Sequence, residues 1–183
     1  MDVRPLLRGR FGRPFTFVER CPSTQRLLEG APEGAVVATD DQTEGRGRLG
    51  RSWHAPPGTS VLFSIALEPQ VPTETLPSLS PVAGAAVAEA ITAESGLPTS
   101  VKHPNDVLIR GRKVAGVLAE ARDGRVVLGI GINVSQHADE LPAASPEATS
   151  LAVEGAEVDR AALLATVLER LERRYDAWVS AAS

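Results

Sequence analysis

The sequence predicts an α+β domain, a mostly antiparallel mixed sheet backed by two helices. Three observations lead there. Four β-rich runs crowd into residues 100–134 with only short turns between them, the last two marked by glycine. Long helical patterns occur only at 79–96 and 159–178. The strands do not alternate with crossover helices, which argues against a doubly wound parallel sheet. The 183 residues suffice for one well-buried core, and we read 1–183 as a single domain.

The elements follow in order. PFTFVER (14–20) reads as a first strand. Pro22-Ser23-Thr24 reads as a capped helix start, with Leu27 and Leu28 on its inner face. AVVAT (35–39) is a short buried strand leading into a glycine- and arginine-rich loop, and SVLFSIAL (60–67) is a strong strand. In 79–96, Ser80 is placed to cap, Pro81 suits a first helical position and Gly96 stops the helix. The runs 100–102, 107–110, 113–122 and 125–134 form an antiparallel meander, with Gly111 and Gly124 in its turns. Leu163, Leu164, Val167, Leu168, Leu171, Tyr175 and Trp178 make one stripe along a final helix from Asp159 to Trp178. The Ala-, Pro- and Ser-rich stretch 135–158 reads mostly as loop.

Composition excludes several classes. A hydrophobic fraction of 43% against 23% charged residues belongs to a folded chain, not a disordered one. A net charge of −4 supplies no general attraction to nucleic acid. No apolar run approaches the ~20 residues of a membrane span, and the N-terminus lacks a cleavage-site pattern. A single cysteine, Cys21, permits neither an internal disulfide nor a cysteine metal cluster. Together these point to the cytoplasm. Of the 19 basic residues only Lys102 and Lys113 are lysine, and both fall inside one short window, which suggests a requirement there for a compact ammonium.

Three stretches carry chemistry. In TEGRGRLGRSW (43–53), Gly45, Gly47 and Gly50 free the backbone for close approach, and Arg46, Arg48 and Arg51 offer forked donors for phosphate or carboxylate. Taken alone, such a loop reads equally well as a solvated hairpin. It is neither a P-loop nor a dinucleotide fingerprint. In VKHPNDVLIRGRKVAG (101–116), a hairpin over 107–117 would return Lys113 towards Asp106, making with Asn105 a site fit for a nucleotide phosphate and its Mg²⁺. In GIGINV (129–134), alternate glycines leave one strand face bare for a backbone or a flat ligand, though tight sheet-to-helix packing explains the same feature and is the reading favoured by this motif alone; Asn133, where the strand should be buried, needs a partner.

In this order the motifs resemble the catalytic domain of biotin protein ligases. The family pattern of Ser-Thr-Asn, Gln-x-x-Gly-Arg-Gly-Arg-x-Gly-Arg-x-Trp, Lys-Trp-Pro-Asn-Asp, Arg-Lys-x-x-Gly and Gly-x-Gly-Ile-Asn is matched here by Ser23-Thr24-Gln25, QTEGRGRLGRSW (42–53), KHPND (102–106), RKVAG (112–116) and GIGIN (129–133). The resemblance spans roughly residues 15 to 178 and implies a class II synthetase-like fold. It implies formation of biotinyl-AMP from biotin and ATP with Mg²⁺, then transfer of biotin to a lysine of a biotin carboxyl carrier protein. It assigns biotin to Ser23, Thr24, Gln25, Gln42, Gly45, Arg46, Gly47, Trp53 and Gly116. Arg46, Arg48, Asn105, Asp106 and Asn133 would serve the nucleotide, with Asp106 either a Mg²⁺ ligand or the orienter of a lysine. Lys113 would be the principal catalytic lysine, with Lys102 and Arg48 supporting. The arginine loop would be a lid that shields a mixed anhydride from water.

Three departures stand out. Gln25 replaces the usual Asn, His103 replaces the tryptophan of Lys-Trp-Pro-Asn-Asp, and the sequence stops at Ser183 where the family usually continues into a β-barrel-like domain. No helix-turn-helix precedes the domain, so a nucleic-acid partner is not expected. Family members include monomers and homodimers. Two other functions compete: a sensor that holds biotin or biotinyl-AMP with little transfer, and a lipoate or octanoate ligase of the same fold.

Overall fold

The computed structural model describes residues 1–143 and 146–182. Seven strands form one sheet: β1 (Phe15–Cys21), β2 (Val36–Gln42), β3 (Ser60–Leu67), β4 (Ser100–Lys102), β5 (Asp106–Ile109), β6 (Arg112–Arg122) and β7 (Arg125–Asn133). Their order across the sheet is β1-β2-β3-β7-β6-β5-β4. Only β1 and β2 run parallel; every other pairing is antiparallel, including the whole meander from β4 to β7. Two helices, α1 (Leu79–Ser95) and α2 (Arg160–Ala182), pack on each other and on the sheet. The α+β expectation is met.

The sheet's period of two sorts side chains between two faces. On β3, Val61, Phe63, Ile65 and Leu67 join the main core with residues of α1 and α2, such as Ala83, Val87, Leu164 and Leu168. The alternate residues Leu62 and Ser64 face a cleft, and Ala66 packs with Leu28. β7 repeats this: Leu128, Ile130 and Ile132 enter the core, while Gly129 and Gly131 face the cleft. Both faces are covered, which is why β3 is buried at every position.

Several local expectations need correction. Helix α1 continues from a 3₁₀ turn at Thr73–Ser78, so Ser80 lies inside it and caps nothing, whereas Gly96 ends it in the left-handed conformation at φ 71°. Residues Thr24–Leu28 form a 3₁₀ turn without a side-chain cap from Ser23. At three residues per turn its neighbours diverge, so Leu28 is buried but Leu27 is 47% exposed. Asp159 starts α2 as its cap, accepting from the Ala162 amide at 2.8 Å. By length and composition the helical stretch Thr73–Ser95 would pass for a membrane span, with mean hydropathy 1.2, but half of it is buried within the domain. The loop expected over 135–158 is described apart from residues 144 and 145; far from being solvated, it buries Gln136, Thr149, Ser150, Leu151 and Glu154.

Candidate active site

The cleft lies on the helix-free face of the sheet, in the hollow that small residues leave. A Cβ at Gly131 would stand 2.7 Å from the Trp53 indole, and one at Gly129 would stand 3.1 Å from the Gln25 side chain. The bare strand face is therefore the bed on which Trp53 and Gln25 lie. The space comprises two compartments that share Gly47, Arg48, Trp53, Asn105 and Lys113 in their walls. Counting space open to solvent, they measure about 490 and 680 Å³.

The first compartment is polar at the 3₁₀ turn. Thr24 and Gln42 are joined there, the Thr24 amide donating to Gln42 Oε1 at 2.9 Å. The Thr24 and Ser64 hydroxyls lie 2.7 Å apart. Ser23 and Gln25 complete this end, and Gln25 Nε2 reaches the Leu118 and Val127 carbonyls at 3.4 Å each. Gly116 and Trp53 form walls; the indole Nε1 lies over Gly131, buried with no hydrogen-bond partner.

The arginine loop closes over both compartments as a tight hairpin. Arg46 and Ser52 bridge across it, the Gly47 amide donates to the Arg51 carbonyl at 2.7 Å, and the Trp53 amide donates to Gly45 at 2.9 Å. Gly45 has no room for a side chain, since a Cβ would lie 2.3 Å from the Trp53 carbonyl oxygen. Arg46 pairs with Glu120 at 2.9 Å and Arg48 donates to Asn105 Oδ1 at 3.4 Å. Both guanidinium groups thus already face carboxylate and amide oxygens, the kind of acceptor a ligand phosphate would supply.

Lys113 stands where the compartments meet. Its ammonium is 2.7 Å from Asp106 Oδ1 and 5.7 Å from the Trp53 ring centroid, a cation–π approach. The predicted return of Lys113 towards Asp106 is met, because β5 and β6 pair as a hairpin. Asp106 and Asn133 line the second compartment with Pro142 and Ala148. The Asn133 amide donates to the Thr149 carbonyl at 3.0 Å and accepts from Gln136 at 2.9 Å. Lys102 faces Asp106 across β4–β5, but it is exposed and outside both compartments. Among the described residues no three acidic, His or Cys side chains converge as a metal cage. Asp106 is the single carboxylate in the second compartment. That donor set fits a Mg²⁺ carried in by phosphates, which is usually held by one or two protein carboxylates.

Sequence reasoning missed Ser64, Glu120, Thr149 and Glu154. Ser64 is one small polar residue in an apolar strand, and that is the only signal it carried. Cys21 is buried outside the cleft, and burial pushes its thiol pKa up, so it offers no cleft nucleophile.

A profile of the biotin/lipoate A/B protein ligase family matches residues 17–137. The chain belongs to that family. Among its relatives, the bifunctional ligase/repressor BirA of Bacillus spizizenii is 42% identical over 176 residues, covering 90% of this chain and 54% of that protein. The biotin–[acetyl-CoA-carboxylase] ligase of Mycobacterium tuberculosis is 40% identical over 162 residues, covering 85% and 60% respectively. The structure of Aquifex aeolicus biotin protein ligase in complex with biotin and ATP superimposes with a TM-score of 0.81 at 36% identity, covering 90% of this chain and 71% of that one. The chain spans little more than half the length of the curated ligases it matches.

Proposed function

We propose that this member of the biotin/lipoate A/B protein ligase family condenses biotin with ATP and passes the biotinyl group to a lysine of a carrier protein in the cytoplasm. The observation that carries the reading is the seat of Lys113, an ammonium at the shared wall of two adjoining compartments beneath two lid arginines. The relatives named as biotin ligases support biotin over lipoate. The absence of a cysteine among the cleft residues speaks against an acyl-cysteine transferase.

In this reading the first compartment takes the biotin ring system. Thr24, Gln42 and Ser64 would meet its ureido group. The second compartment takes the nucleotide, with Arg48, Asn105 and Asp106 towards the phosphates and Asp106 holding Mg²⁺. A biotin carboxylate oxygen attacks the α-phosphorus, the bond to the β-phosphate oxygen breaks, and pyrophosphate leaves. No proton transfer is required, because the carboxylate is already ionised at neutral pH. Lys113 lies between carboxylate and α-phosphate as charge builds there, so catalysis is positioning plus charge stabilisation. The acceptor amine, unprotonated when it attacks, then forms an amide at the acyl carbon and displaces AMP. Arg46 and Arg48 hold the lid down and keep water from the mixed anhydride in the interval. Lys102, exposed at the sheet edge, would act on the outer phosphates or the carrier.

The test is biotin-dependent exchange of labelled pyrophosphate into ATP, with lipoate and octanoate in parallel. Exchange with biotin alone is expected. Biotin binding without exchange would turn the reading towards a sensor.

A further inference from the structure

The segment after β7, read from the sequence as loop, is built around one residue. Thr149 uses its three polar groups in three directions. Its amide donates to the Lys113 carbonyl at 2.8 Å. Its carbonyl accepts from Asn133 at 3.0 Å. Its hydroxyl donates to Glu154 Oε1 at 2.6 Å. Two residues earlier, the Glu147 carbonyl accepts from the Lys113 amide at 2.7 Å, so Lys113 and Ala148 form a parallel bridge. Both backbone polar groups of Lys113 are therefore held by residues 147–149, not by a neighbouring strand of the sheet.

That strap has its own anchor. The Glu154 side chain is wholly buried, yet it pairs with Arg110 at 3.0 Å and Arg112 at 2.6 Å. A buried carboxylate is tolerated only when charge and hydrogen bonds satisfy it. Here the two arginines precede Lys113 on the same hairpin. The anchor, the hub and the lysine thus close a ring: Glu154 to Thr149, Thr149 to Lys113, and Lys113 through its own chain to Arg112 and back to Glu154. Ser150 adds a bond to the Gln136 carbonyl at 2.7 Å, tying the strap to the Asn133 side of the second compartment.

We propose that Thr149 and Glu154 are positioning residues of the adenylation step, fixing the backbone of Lys113, and with it the ammonium, against the junction of the two compartments. Neither lines the cleft. They act through Lys113 and Asn133. The inference rests on the ligase reading above and adds to it two residues that do not themselves line the cleft.

The hydroxyl is the discriminating atom. Thr149→Val keeps the shape and both backbone contacts but cannot donate to Glu154, whereas Thr149→Ser keeps the donor. In biotin-dependent pyrophosphate exchange, Thr149→Val is expected to lower kcat about 10-fold with KM for biotin little changed, since small displacements of a reacting group are amplified in rate. Thr149→Ser should restore kcat. Amide hydrogen exchange by mass spectrometry should show peptides containing Lys113 losing protection in Thr149→Val relative to those of β7. Wild-type kcat in Thr149→Val, or equal loss in the Val and Ser variants, overturns the inference. Should Thr149→Val fail to fold, Glu154→Gln applies the same test: it keeps an acceptor for Thr149 but withdraws the charge that holds the arginines. An unchanged kcat there overturns the inference too. If the wild-type chain itself shows no biotin-dependent exchange, the ligase reading fails and takes this inference with it.

Discussion

Gly131 has no side chain because the Trp53 indole occupies the place where one would stand, with atoms 2.7 and 2.8 Å from an ideal Cβ. Gly131→Ala should therefore push the indole from its bed. Overpacking of this kind costs about 1–3 kcal/mol, and here it falls on a wall of the cleft. A lower melting temperature and weaker biotin binding by titration calorimetry are expected; unchanged affinity would mean the indole is not a ligand wall. Lys113 makes a sharper prediction. Removing one group that stabilises developing charge typically lowers kcat by about 10²–10³, so Lys113→Ala should do so in pyrophosphate exchange while leaving the fold intact. Normal exchange in that variant would move the role to another group. Lys113, Trp53 and the lid arginines were legible because lysine and tryptophan are rare in this chain and the arginines repeat between glycines, and Asp106 because the hairpin turns Lys113 back towards it. Ser64 and Thr149 were not, since a small polar residue declares its role only through the partner it meets across 40 positions, or 36.

At the level of elements, the hairpin loop 45–53 joins the sheet's cleft to solvent. Its ends are fixed by the Thr43 and Glu44 amides, which donate to the Cys21 and Pro22 carbonyls at 3.0 and 2.8 Å. Its tip is not: Leu49 is 87% exposed and sits at φ 58°, a backbone region uncommon for a side-chain-bearing residue. Between them, Arg48 reaches Asn105 at the shared wall. Removing that guanidinium should take one wall residue from both compartments and loosen the cover. A hydrogen bond to a charged group contributes about 1.5–3 kcal/mol, so Arg48→Gly should shorten biotinyl-AMP retention by roughly 10–100-fold, read as adenylate release or hydrolysis after gel filtration. An unchanged lifetime would remove the lid from the mechanism. The meander and α1 were legible from their glycine stops, and α2 from its long apolar stripe. The capping of α1 was misread because Pro81 fits the third helical position as well as the first, and the 3₁₀ turn before α1 shows no hydrophobic period. The parallel pairing of β1 with β2 had no local signal, since it depends on where the connection at 22–35 lays the chain.

Across the whole molecule, the helical layer is held to the sheet by apolar burial, with charge pairs along its outer rim. Arg10 pairs with both Glu172 and Asp176 of α2, and Arg174 and Arg173 pair with Glu89 of α1. The Arg10 hydrogen bond holds the Asp176 carboxyl below its ordinary range, and the Arg174 hydrogen bond does the same for Glu89. A depressed carboxylate contributes stability above its unfolded-state pKa of about 4, and that contribution is lost as pH falls through the lower folded value. The direction is therefore fixed: acid weakens the rim, and neutral to alkaline pH leaves it whole. These side chains are part-exposed, so each pair is worth only about 0.2–1 kcal/mol and is screened by salt. In a chain of this size 1 kcal/mol moves the melting temperature by about 2–4 °C. Arg10→Ala should lower the melting temperature by a few degrees or less at pH 7, and the deficit should shrink as pH falls from about 4 towards 2.5. Differential scanning calorimetry of both proteins over that range reads the effect as a closing gap. A gap that stays constant with pH would show that Arg10 stabilises through its contact with Phe11, which its guanidinium overlies at 5.0 Å, and not through its carboxylate partners.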